Sequence, residues 1–269
     1  MFIKWSKDLY RCIRPIRYRI VIAYIIMFIA ITIVGKNYID TGALEGIKIC
    51  ALDMLCDVYK NLGMLGNTSY MIIIFIYSLL LINILDYENK ELRLIKRKSR
   101  KEIINRQFFY VVLISFIFIF TLVVFGYVIS IIFTGSLNNT WTSTQGTINK
   151  LLSSSYNWGE ISQNFSTYKV LLYIFISGFL GLTATGMLIC ILKMFMKNPY
   201  IIAIVIVQMY AAVLFNNASF IFKQMHVYLP NLVYPVSILK NQGYLLVLIL
   251  LLYELGSYII EKKDFLDRN

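Results

Sequence analysis

Six long, almost charge-free apolar stretches constrain this chain more than any other feature, at roughly 18–35, 70–85, 108–133, 168–192, 199–216 and 243–260. A bilayer core takes about 20 apolar residues per helix. Backbone inside lipid must satisfy its own N–H and C=O groups, which favours helices. Hydrophobic residues make up 59% of the 269 positions and charged residues only 15%, far from the balance of a soluble domain. The expected fold is therefore an all-α membrane protein with six transmembrane helices. A single transmembrane domain over 1–269 uses the whole length.

A net charge of +12 would point to nucleic acid in a soluble protein, but the placement of the cations says otherwise. With the N-terminus in the cytosol, 19 of the 26 Lys and Arg residues fall in the inner segments and 7 in the outer ones. The positive-inside rule then places both termini in the cytosol of a multi-pass plasma-membrane protein, and nucleic acid is not expected as a partner. No small-residue cleavage site follows Val34, so the first apolar run reads as an uncleaved helix. Cys50 and Cys56 are the one pair close in sequence, but six residues apart on a helix they face poorly for a bridge.

Between the spans the sequence varies in character. Residues 1–17 are basic and amphipathic: Phe2, Trp5, Leu9 and Ile13 recur on one side, while Lys4, Lys7, Arg11 and Arg14 lie elsewhere on the wheel. That pattern suits an interfacial helix in the headgroup region, redirected by Pro15 into the first span. Segment 36–69 carries a helical apolar pattern and is expected to pack on the outer surface. Segment 134–167 is polar and reads as a mobile loop. Segment 217–242, with Phe220, Phe222, Pro230 and Pro235, is expected to dip back between the helices. In the fourth span Ser177, Gly181 and Thr185 recur at four-residue steps, beside Gly178 and Gly186. Small residues at that spacing allow close helix packing.

The catalytic inventory is thin. One histidine, His226, cannot build a metal site without partners. No His-Glu-x-x-His, Gly-x-Ser-x-Gly or Gly-x-x-x-x-Gly-Lys-Ser/Thr pattern occurs, so neither metalloprotease nor serine-hydrolase chemistry is expected, nor ATP binding through a phosphate loop. No metal, cofactor or catalytic residue is assigned. One acid, Glu254, interrupts the last apolar run. An intramembrane carboxylate is a functional candidate by default. Near the basic boundary, however, it would snorkel or pair with a cation such as Arg19 or Lys193, and structural anchoring is the expectation.

The informative soluble segment is 86–107, dense in charge of both signs. Leu92, Ile95 and Ser99 would share one helix face, and Glu88, Glu91 and Glu102 alternate with eight cations. A solvated loop explains the charge; a helix displayed to a soluble partner also explains the mixed sign and the spacing. An acidic-aromatic-acidic start (Asp86, Tyr87, Glu88) leads into Leu92, Leu94 and Ile95, then Ser99-Arg100, Ile103, Ile104 and Arg106. This order resembles the permease subunit of type-two ABC transporters: the six-span layout agrees over the whole chain, and about 30 residues carry the motif-level likeness. Lys90-Glu91 replaces the family's usual Gly-Thr, and Arg106 stands where Lys is common. The closing run Gly256–Phe265 is similar to the family's end of span six.

The resemblance implies a bacterial exporter of an amphipathic or hydrophobic substrate, in particular a peptide such as a bacteriocin or toxin. It implies a second permease, identical or related, and a separate ATPase subunit that binds the ATP. The segment between spans two and three would be the coupling helix, with Glu88, Glu91, Leu92, Ile95, Ser99 and Arg100 at the ATPase contact. The alternatives are a secondary transporter or channel using Glu254, and a non-transporting membrane scaffold or sensor.

Overall fold

The computed structural model describes residues 2–44, 49–56, 67–88, 100–141, 143, 146–152, 161–215 and 220–262. These residues form α1 (Phe2–Ile13), a 3₁₀ turn (Arg14–Ile16), α2 (Arg17–Leu44), α3 (Ala51–Cys56), α4 (Asn67–Glu88), α5 (Arg100–Thr134) and α6 (Thr147–Leu152). After a 3₁₀ turn at Ser162–Phe165 come α7 (Thr167–Leu192), α8 (Asn198–Leu214), α9 (Ile221–Met225), α10 (Leu229–Val233) and α11 (Pro235–Lys262).

Five helical stretches among the described residues are long and apolar enough to cross a membrane: Trp5–Asn37, which runs from α1 through the 3₁₀ turn into α2, and Tyr70–Glu88, Lys101–Thr134, Thr167–Leu192 and Pro235–Lys262. That architecture fits a multi-pass membrane protein. The fifth of the six expected spans, α8, has 17 residues. At 1.5 Å per residue it is about 25 Å long, short of a core of about 30 Å. Pro199 fixes its first turn, and it stops at Leu214. The last helix begins at Pro235 rather than near 243. Proline at the first turn is pre-shaped for a helix and needs no N–H there.

Helix α7 is the centre of the bundle and packs on α4, α5, α9 and α11. Its small residues bring neighbours close. A Cβ on Gly186 would meet the Tyr77 hydroxyl at 2.5 Å, and one on Gly178 would meet the Ile119 side chain at 2.6 Å. Ser177 accepts a hydrogen bond from Gln242 Nε2 of α11 at 3.1 Å. The expected inward dip of the 217–242 segment takes the form of α9, packed on α7, α8 and α11. Gly181 makes the room: a Cβ there would lie 2.3 Å from Met225 Cβ.

One end of the bundle is built around a buried acid. Helix α3 is buried along its whole length and packs on α5. Asp53 Oδ1 accepts hydrogen bonds from the Trp141 indole at 2.6 Å and the Thr147 hydroxyl at 2.5 Å, and Oδ2 accepts one from the Cys50 N–H at 2.8 Å. Trp141 is fully buried and meets Phe165 edge-on at 6.1 Å. Part of the segment expected to be a mobile polar loop is therefore the wall of this small core; Trp158 lies outside the described residues. Burial pushes the Asp53 carboxyl above its ordinary pKa, against the opposing hydrogen bonds from Thr147, Cys50 and Trp141. The Cys50 thiol is pushed up to about 11, by burial first and by Asp53 second. All four cysteines are free, as the spacing of Cys50 and Cys56 suggested. Helix α5 reaches this end and stops at Gly135, whose φ of 65° is the left-handed cap that lets its N–H return to the Ile131 carbonyl at 2.8 Å.

Candidate functional site: the basic end of the bundle

Charged side chains of the described residues gather at the opposite end, where α4 finishes and α5 begins. Helix α1 is amphipathic, and its apolar side is used against protein. Leu9, Cys12 and Ile16 are buried with Ile84 of α4 and Tyr110 of α5, and Trp5 meets Phe109 at 5.6 Å. Moving along α1, Trp5 touches Phe109, Asp8 touches Arg106 and Cys12 touches Glu88. Phe109 and Arg106 are three residues apart, about 4.5 Å along α5. Helix α1 therefore crosses the ends of α4 and α5 instead of continuing the axis of α2, with the Pro15-containing turn as the bend.

At the crossing sits Arg106, fully buried. Its Nη1 donates to Asp8 Oδ2 at 2.9 Å, and its Nη2 donates to the Tyr110 hydroxyl at 2.6 Å and to Glu88 Oε2 at 3.4 Å. Nε lies 3.2 Å from Glu88 Oε1, at an angle that makes it an ion-pair contact rather than a hydrogen bond. The Cys12 thiol donates to Glu88 Oε2 at 3.7 Å. A buried guanidinium needs such a set, because removing a charge from water without partners costs several kcal/mol, roughly. Two carboxylates around one guanidinium knot three elements together: α1 through Asp8, the end of α4 through Glu88 and the start of α5 through Arg106.

Further polar ties radiate from the same end. Arg19 at the start of α2 donates to Asn83 Oδ1 of α4 at 2.9 Å. Asp86 near the end of α4 accepts from Lys193 after α7 and, at 2.9 Å, from Asn198 Nδ2 of α8. Lys101 pairs with Glu261 at 3.1 Å, and the Tyr253 hydroxyl donates to Asn105 Oδ1 at 2.5 Å, both joining α5 to α11. Each long helix thus reaches, directly or through one neighbour, a residue flanking the 89–99 segment.

Of the residues expected at an ATPase contact, Glu88 is in place but turns inward: it is 2% exposed and engaged by Arg106. As placed, its side chain positions the flank rather than presenting itself to a partner. Arg100 is the first residue of α5. Glu91, Leu92, Ile95 and Ser99 lie outside the described residues. Glu254 is exposed, on the same side of α11 as Leu250, Leu251 and Leu255. The expected pairing with Arg19 or Lys193 does not form, because both cations are committed to α4, to Asn83 and Asp86. The sequence alone assigns no role to Asp8, Cys12 or Tyr110, and it offers Arg106 as the basic residue that closes the permease-like motif. The available signal was Arg106 itself, a charge four residues before Tyr110 at the mouth of an apolar helix.

Among the described residues no group of three or more His, Cys, Asp or Glu side chains is arranged to hold a metal ion. No protein-family model, curated protein or solved structure matches the chain.

Proposed function

We propose that this chain is the membrane-spanning permease subunit of an ABC exporter. It would sit in the plasma membrane with both termini in the cytosol and α8 as a short sixth span. The observation that carries this reading is the construction of the flanks of segment 89–99. The stretch whose residues resemble a coupling helix begins and ends at a buried knot, Glu88–Arg106–Asp8, that ties it to three helices at once. A coupling element has to be rigidly joined to the helices it moves, and a desolvated ion pair held in one geometry supplies such a joint. ATP hydrolysis belongs to a separate ATPase subunit in this reading. A second permease, the same or related, completes a path for an amphipathic or hydrophobic substrate such as a peptide.

The test is co-expression with a candidate ABC-type ATPase subunit. The complex is expected to co-purify and to hydrolyse ATP, while the chain alone hydrolyses none. Replacing both Leu92 and Ile95 with Asp should uncouple the complex, since a buried aliphatic anchor contributes about 1.5–3 kcal/mol. ATP hydrolysis by the isolated chain, or unchanged co-purification and transport in the double variant, would reject the assignment or the contact surface respectively.

A further inference from the structure

The outward side of α1 is unused by the packing just described. Leu9, Cys12 and Ile16 face the bundle, and the opposite side presents Lys7, Tyr10, Arg11 and Arg14, all exposed, followed by exposed Arg17 and Tyr18 at the start of α2. The one acid on α1, Asp8, is held by Arg106 at 2.9 Å. Arg11 reaches Asp8 only at 3.5 Å, and its own side chain is 73% exposed. A cationic face with exposed tyrosines therefore stands at a height that α2 defines. Val21, Ile22, Ile25 and Ile26 are each more than half exposed and begin an apolar surface that belongs in hydrocarbon. Seven residues separate Arg14 from Val21, a rise of about 10–12 Å for a 3₁₀ turn running into an α-helix. A headgroup layer is about 5–8 Å thick. Because α1 turns aside at Pro15, its cations lie closer to that layer than a straight helix would place them.

We infer that this face binds the phosphates of anionic phospholipid headgroups, so that the lipid clamps α1 from outside while Arg106 holds it from inside. Neighbouring Arg and Lys side chains suit phosphate oxygens, as guanidinium forks and as a point charge respectively. Tyr10 and Tyr18, 66% and 68% exposed, have the amphipathic character of residues at the headgroup level. A soluble acidic protein would match the charge, but it would not explain why the face lies level with the start of an apolar surface.

The experiment uses the full chain in mild detergent with a mixture of phosphatidylglycerol and phosphatidylcholine, and counts retained lipids by native mass spectrometry. Wild type should retain phosphatidylglycerol preferentially. Lys7→Gln/Arg11→Gln/Arg14→Gln should weaken that preference about tenfold or more, each cation near a charged surface being worth several-fold. Lys169→Gln/Lys240→Gln, at the other end of the bundle, should leave it unchanged. Inorganic phosphate at millimolar concentration should not compete, which separates a lipid site from a free-anion site. If the triple variant fails to fold, the salt dependence of wild type decides: the preference should vanish near 1 M salt, where the Debye length is about 3 Å. Equal retention of the two lipids by wild type, or an unchanged preference in the folded triple variant or at high salt, would overturn the inference.

Discussion

Arg106 is where a single side chain decides the local structure. Its charge is fully removed from water and held by Asp8, Glu88 and Tyr110, so the set stands or falls together. Arg106→Ala would leave Glu88 buried without its counter-charge, a loss of about 3–5 kcal/mol by comparison with other buried pairs. The expected result is a clearly lowered thermal midpoint in detergent. Arg106→Met combined with Glu88→Leu should recover much of it, because an apolar pair of similar volume removes the stranded charge. An unchanged midpoint in the single variant would show that the knot carries no stability. Asp53, at the other end, makes a pH-dependent case. Its pKa in the folded state is raised, chiefly by burial, above the ordinary 3.8. The folded state therefore binds that proton more tightly than the unfolded chain does. The contribution is complete below 3.8 and is lost as pH rises through the folded value. Relative to Asp53→Asn, wild type should gain stability as pH is lowered from neutrality toward that range. Melting curves of both proteins at several pH values test it, and a difference that shrinks on acidification would contradict the sign.

Among the elements, α7 and α9 show how a short helix is admitted into a bundle of long ones. The contact depends on Gly181, where a Cβ would come within 2.3 Å of Met225 Cβ and 2.8 Å of its sulfur. Gly181→Ala is expected to destabilise by about 1–3 kcal/mol, the usual cost of forcing extra volume into a packed contact. Trimming the partner by Met225→Ala in the same chain should relieve part of that cost. Midpoints of the two single variants and the double variant form the cycle, and additive losses would show that the two residues do not share the contact. Helix α1 makes the complementary point. Its amphipathic pattern is plain in the sequence, but the surface that its apolar side covers is not. The side expected to rest in headgroups is occupied by Ile84 and Tyr110.

For the whole molecule, the proposed orientation makes a direct prediction. Cysteine placed at Ser136, in a background lacking the native cysteines, should react with an impermeant thiol reagent in intact cells. Cysteine placed at Ser99 should react only after the membrane is opened. Labelling at Ser99 in intact cells would reverse the orientation. The sequence by itself determined the class of the protein, because twenty-residue apolar runs have few other destinations and their boundaries are written in local composition. Five of the six expected runs appear as helices long enough to cross a bilayer; their C-terminal ends lie close to the expected ones, but three start earlier, at Trp5, Lys101 and Pro235. Tertiary structure alone decided the partners. Arg106 meets Asp8 across 98 residues of chain and Trp141 meets Asp53 across 88, separations over which no periodicity carries information. It likewise turned Glu88 inward and left Glu254 exposed, because in a mostly apolar bundle each charge is placed by the few polar groups within reach, and those come together only when the helices pack.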